Sequence, residues 1–210
     1  MDDYINNTGS QLDDNKDSLQ YTQCNYDFKE NALNDTSSNP EDAEKDKNWS
    51  PCSSSQLSDI NNEQLVSVFD VAAYILKKIG TMTTMKLQKL VYYCQAWSLV
   101  WDEKPLFKEQ IEAWANGPVV KELFAYHRGM FQVSSVSIGN PDLLNNEQKD
   151  TINAVIDYYG SKPSQWLIDL SHMEEPWKKA RVGLPISVRS NRVITLEDMA
   201  EYYSSLPSDN

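Results

Sequence analysis

Between Met85 and Trp101 apolar side chains recur at Leu87, Leu90, Val91, Cys94, Trp97 and Trp101, the spacing that one face of an α-helix requires. The run starts after Thr83 or Thr84, and Pro105 prevents much continuation beyond Trp101. Lys86, Lys89 and Gln95 fall elsewhere on the helical wheel. From Ile111 the chain continues Ile-Glu-Ala-Trp-Ala-Asn-Gly-Pro-Val-Val. Gln110–Trp114 alternates, with Ile111 and Ala113 on one side and Glu112 and Trp114 on the other, as a short strand does. Gly117 then reads as a turn and cap and Pro118 as the first residue of a helix that reaches Arg128, where Gly129 ends it. That helix would bury Val120, Leu123, Phe124 and His127.

The remaining elements announce themselves by their ends. Ser67 with Asp70 three residues on forms a capping pair for a helix over Val68–Ile79, and Gly80 stops it. Gln132–Ile138 is β-branched and Ser-rich, a second strand expected to pair with Gln110–Trp114. Asn145 or Asn146 starts a helix to Tyr159 with Ile152, Val155, Ile156 and Tyr159 inward, and another runs from Ser164 to about His172. Pro176 restarts the chain as a short helix through Arg181. Thr195, with Asp198 three residues later, caps a last helix carrying Leu196, Met199, Tyr202 and Tyr203. The fold class expected is mainly α, a single helical domain with a small β element.

Charge divides the chain. Residues 1–63 hold 14 Asp/Glu against 4 Lys/Arg, a net of −10, which leaves only −2 for everything after them. The same stretch is crowded with Asn, Ser and Gln, and its apolar residues have no period. Such a composition does not bury enough apolar surface to offset chain entropy, so residues 1–63 are expected to be an acidic, disordered N-terminal region and residues 64–210 the folded domain. No apolar run approaches the roughly 20 residues of a membrane span. The opening Met-Asp-Asp lacks the basic and apolar regions of a secretory leader, and a cytoplasmic protein is expected. Cys24, Cys52 and Cys94 form no Cys-x-x-Cys pair, which gives no ground for a disulfide framework or a zinc site. Lys86, Lys89, Lys104 and Lys108 cluster around the Met85–Trp101 helix. In a domain of negative net charge, that cluster reads as a solvated helix face, and direct binding to nucleic acid is not expected.

His172 sits beside Glu174 and Glu175, a grouping that could serve a general base or a metal. No second histidine lies at helical spacing and no nucleophile is adjacent. The structural alternative is a residue that closes a helix, its ring sharing hydrogen bonds with terminal carbonyls. His127, near the end of its helix, reads as a core or boundary histidine. No catalytic residue, cofactor or metal ligand is expected.

Three of these segments, Met85–Trp97, Ile111–Val120 and Trp166–Arg181 with His172 and the Pro176-Trp177 pair in order, together resemble the Panacea domain. This is an antitoxin family that includes SocA-like and phage-associated GepA-like proteins. The resemblance covers roughly residues 66–203 and carries no catalytic signature. It implies an antitoxin that neutralises a cognate protein toxin, encoded nearby, by direct protein–protein binding. One relative delivers its toxin to a protease, so an adaptor working with a Clp-type machine is the alternative. A hydrolase and a transcriptional regulator stand further off. The positions expected to serve partner binding are Trp114, Asn116, Gly117, Pro118, His172, Pro176 and Trp177.

Overall fold

The computed structural model describes residues 66–207. The expected disorder of residues 1–63, and the boundary drawn after them, lie outside the described residues. Within the described residues the fold is mainly α with small β elements, and Ser205 closes its last helix. Helix α1 spans Val68–Ile79, and its start is a full capping box. The Ser67 hydroxyl accepts from the Asp70 amide while the Asp70 carboxylate accepts from the Ser67 amide. Strand β1 (Met82–Thr83) leads directly into α2 (Thr84–Trp101), with the Thr83 side chain accepting from the Lys86 amide. Helix α4 (Asn146–Tyr159) opens with a second capping box made by Asn145 and Gln148. Helix α5 runs Ser164–Met173, α6 Glu175–Ala180 and α7 Leu196–Ser205. The Thr195 hydroxyl accepts from the Asp198 amide, as the capping pair requires.

Among the described residues helix α2 is the central element. It packs against α1, α4, α5 and α7, and every residue from Leu87 to Ser98 is buried. The expectation of one buried stripe on a partly solvated helix is therefore corrected. Lys89 and Gln95 are wholly enclosed, and Lys86 is half-buried with its ammonium donating to the Gly160 carbonyl at 2.6 Å. Periodicity locates the most apolar face but does not reveal that neighbours also cover the other one. Three polar side chains of α2 offset their own burial by pairing with backbone that no ladder satisfies. Gln95 accepts from the amides of Leu106 and Phe107 and donates to the Phe107 carbonyl. Gln88 and Lys89 do the same for a strand described below.

The sheets also differ from expectation. Strand β2 (Ile111–Trp114) forms an antiparallel hairpin with β3 (Gly117–Val120), in the register Trp114 to Gly117 and Ile111 to Val120. Gly117-Pro118 is thus strand, and the following helix, α3 (Lys121–Tyr126), begins three residues later than Pro118 suggests. Strand β4 (Gln132–Val133) pairs with β1, not with β2. The third strand beside β2 is β5 (Val193–Ile194), giving the order β3-β2-β5. Among the described residues no helix is long and apolar enough to cross a membrane.

Candidate functional site

The hairpin turn is where side chains of the Met85–Trp97 and Trp166–Arg181 segments meet the Ile111–Val120 segment. Ala115 and Asn116 form its tip, and Gly117 takes φ +95° immediately after, a left-handed conformation that side-chain-bearing residues avoid. Space as well as φ restricts this position. A Cβ on Gly117 would lie 2.7 Å from Ser171 Oγ and 2.8 Å from Lys89 Cε. Pro118 follows on the sheet edge, where a missing N–H costs no ladder bond. The outer side of β3 is met by α2 instead. Lys89 Nζ donates to the Pro118 carbonyl at 2.8 Å, and Gln88 both accepts from the Val120 amide at 2.8 Å and donates to the Val120 carbonyl at 3.2 Å. Helix side chains thereby take the place of a neighbouring strand.

The inner side of the turn is held from α5 and α6. Arg181 Nη1 donates to the Ala113 carbonyl at 2.8 Å and Trp177 Nε1 to the Trp114 carbonyl at 2.9 Å. The His172 ring stacks on Trp177 with centroids 4.2 Å apart and lies near the Ala115 backbone, which favours its charged form. Along His172-x-x-x-Pro176-Trp177-x-x-x-Arg181, Trp177 and Arg181 thus grip two consecutive residues of the hairpin, and His172 braces the Trp177 ring. Pro176, in the first turn of α6, fixes how that helix leaves α5. Arg181 Nη2 serves the next loop, donating to the carbonyls of Pro185, Ile186 and Val188. Among the described residues His172 makes no hydrogen bond to the terminal carbonyls of its own helix; its ring packs on Trp177 and its Nε2 is buried without a partner.

The interior around this clamp carries titratable groups without catalytic wiring. Burial lowers the Lys89 amine to about 7. Burial, and then Lys89 nearby, also hold the His172 imidazole below its ordinary range. Ser171 is fully buried and its hydroxyl donates to the Ile168 carbonyl, so no base takes its proton. Glu174, 1 % exposed, is pushed up to about 8 by burial, against hydrogen bonds from the hydroxyls of Tyr203 at 2.8 Å and Tyr93 at 3.2 Å. Tyr92, Tyr159 and Trp97 complete an aromatic cluster around it, Tyr93 and Tyr159 stacking at 4.2 Å. No group of three or more His, Cys, Asp or Glu side chains among the described residues is placed to hold a metal ion.

On the outer face the hairpin borders an open cleft of about 570 Å³. Its walls are Met85 from α2, Trp114 and Val119 from the hairpin, and Phe124 from α3, with Trp114 and Phe124 edge to face at 4.8 Å. Trp114 Nε1 donates to Glu112 at 2.6 Å, which fixes the indole against the wall. His127 also lines the cleft. It is 2 % exposed, its Nε2 has no partner, and burial keeps it below the ordinary histidine range. Lys121 and the loop residues Arg189, Ser190 and Asn191 form the rim.

All seven positions singled out in the sequence therefore gather around one turn, at different depths. Asn116 is exposed and Trp114 and His172 are half-buried, while Gly117, Pro118, Pro176 and Trp177 are buried. Only Trp114 and Asn116 of the seven line the cleft. Sequence reasoning did not reach its remaining walls. Phe124, assigned to an apolar core face, is 37 % exposed there, and Arg189–Asn191 lie in a stretch that reads only as loop.

Residues 87–178, which contain the central helix, the hairpin and most of the clamp, match the family model described as Antitoxin SocA-like, Panacea domain. Comparison with curated proteins and with solved structures gives no match. The family domain supports an antitoxin role and suggests a non-enzymatic one. Over residues 87–178 the chain is similar to the SocA-like, Panacea-domain antitoxin family.

Proposed function

We propose that this protein is the antitoxin of a toxin–antitoxin pair and neutralises a cognate protein toxin, encoded nearby, by direct binding. The match of residues 87–178 to an antitoxin family carries this reading. Two features of the site support it. The polar chemistry of the interior is spent on holding backbone, since Lys89, Trp177 and Arg181 each donate to a hairpin carbonyl. The surface those bonds shape is an aromatic-walled cleft, the kind of concavity in which partner side chains anchor. In this reading Trp114 and Asn116 touch the toxin, while Gly117, Pro118, His172, Pro176 and Trp177 act at one remove by fixing the turn. Residues 64–210 are the neutralising domain and residues 1–63 an acidic extension of it.

Co-expression tests the proposal. The neighbouring reading frame, expressed alone, should arrest growth; with this chain present, growth should return and the two proteins should co-purify. Restored growth with a stable complex supports sequestration. Restored growth with loss of the toxin, reversed in a host lacking its Clp-type protease, would instead make the chain an adaptor. Growth arrest that this chain leaves unchanged, with no complex recovered, would overturn the antitoxin reading.

A further inference from the structure

We propose that the cleft beside the hairpin turn seats a segment of a partner protein in which an apolar side chain stands next to a carboxylate. The inference rests on the antitoxin reading for the partner's identity and on the cleft itself for its chemistry. Met85, Trp114, Val119 and Phe124 give it apolar walls, and its volume of about 570 Å³ lies within the range of specific binding pockets, ~300–1,000 Å³. Phe124 stays 37 % exposed, although its ring already packs on Trp114. Apolar surface also continues outside the cleft. Thr84, a lining residue, donates its amide to the Phe131 carbonyl and its hydroxyl to the Met130 carbonyl. The side chains of Met130 and Phe131 are 54 % and 79 % exposed there. A surface that runs from a pocket onto flanking Met and Phe suits a polypeptide more than a small molecule, since aromatic residues and Met are what interface cores collect.

Charge supplies the second half of the specificity. Two cations stand on the rim, Lys121 and Arg189, and neither forms an ion pair among the described residues. The one carboxylate in the lining, Glu112, is already engaged by Trp114 Nε1. Deeper in, His127 presents a buried ring with an unpaired Nε2. The cleft is therefore a positive spot in a chain of net charge −12. A carboxylate entering beside an apolar anchor meets Lys121 and Arg189, whereas a lysine or arginine entering there meets two like charges.

A display library of short random peptides, selected on the full-length protein, reads out this preference. Enriched peptides should place Asp or Glu beside an aromatic or aliphatic residue, and the double substitution Lys121→Glu, Arg189→Glu should weaken them by about tenfold or more. Both positions are exposed, so thermal melting should be unchanged; Asn116→Trp, which fills the mouth of the cleft, is the second variant. Enrichment of basic or uncharged peptides, or equal binding by the charge-reversed protein, would overturn the assignment. The co-expression assay separates this from the function. Charge-reversed protein that still neutralises the toxin leaves the antitoxin reading intact and overturns the cleft as the toxin's seat. Acid-dependent peptide binding by a wild-type chain that fails to neutralise overturns the antitoxin reading and supports the cleft.

Discussion

Lys89 is enclosed on every side, with the Pro118 carbonyl accepting from its Nζ at 2.8 Å. Burial brings its amine to about 7 from a usual 10.5, because a charged ammonium loses its water on entering the core. The unfolded chain keeps that proton up to about 10.5 and the folded chain releases it near 7. Lys89 therefore costs most below pH 7, and stability recovers as pH rises from about 7 toward 10.5, at most about 1.4 kcal/mol per pH unit. Lys89→Met should remove this rise, so that denaturant unfolding between neutral and alkaline pH gives a flatter curve than wild type. A parallel rise in both proteins would mean that Lys89 titrates normally. Glu174 has the opposite sign. Its carboxyl is raised from a usual 4.5 to about 8, so the folded state holds a proton that the unfolded chain gives up. Its contribution is fully present below pH 4.5 and is lost as pH climbs through about 8. Glu174→Gln, which keeps an oxygen for the Tyr203 and Tyr93 hydroxyls, should gain on wild type across that window, measured by the same unfolding curves. A difference independent of pH would exclude the titration as its cause.

At the scale of elements, the hairpin is the part on which the site depends, and Gly117 is its most restricted position. Gly117→Ala faces φ +95° and also Ser171 Oγ and Lys89 within 2.8 Å of the new methyl, whereas Gly129, at φ +85°, has nothing within 4 Å. Gly129→Ala should then cost only the backbone strain, about 1–2 kcal/mol, and Gly117→Ala should exceed it, by about 2 kcal/mol more. Equal costs in chemical denaturation would show that Lys89 and Ser171 yield freely. The same comparison explains what could be read beforehand. Helices α1, α2, α4 and α7 had legible starts because Ser67, Thr83, Asn145 and Thr195 act within three residues of themselves. Gly117-Pro118 misled because a turn glycine and a helix-opening proline are the same letters as the end of a two-residue hairpin turn and an edge strand. What decides between them is Gln88 and Lys89, some thirty residues earlier, which satisfy β3 from outside. The seven site positions were legible as a set because they lie in the Ile111–Val120 and Trp166–Arg181 segments that resemble the Panacea domain. The cleft did not, since Met85, Phe124 and Arg189 converge only once the chain is folded.

Across the whole molecule the uneven charge matters most for how a partner arrives. Residues 1–63 carry net −10 against −2 for the remainder, so the long-range field of the chain is set by its first third. A toxin of positive net charge would be drawn toward that field while still presenting one carboxylate to the cleft, because steering follows total charge and docking follows local contacts. Exposed charges that attract without packing change the association rate more than the dissociation rate, and desolvated aromatic contacts do the reverse. Deleting residues 1–60 should accordingly slow association with the cognate toxin at low salt and leave dissociation nearly unchanged. The deficit should shrink as salt rises, since the Debye length contracts from about 10 Å at 0.1 M to about 3 Å at 1 M and exposed charges then cease to act at a distance. Binding kinetics of the full-length and truncated proteins, each at low and high salt, separate these effects. An association rate indifferent to truncation would strip residues 1–60 of any part in capture. A truncated protein that fails to bind at every salt concentration would move the principal contact from the folded cleft into the acidic third of the chain.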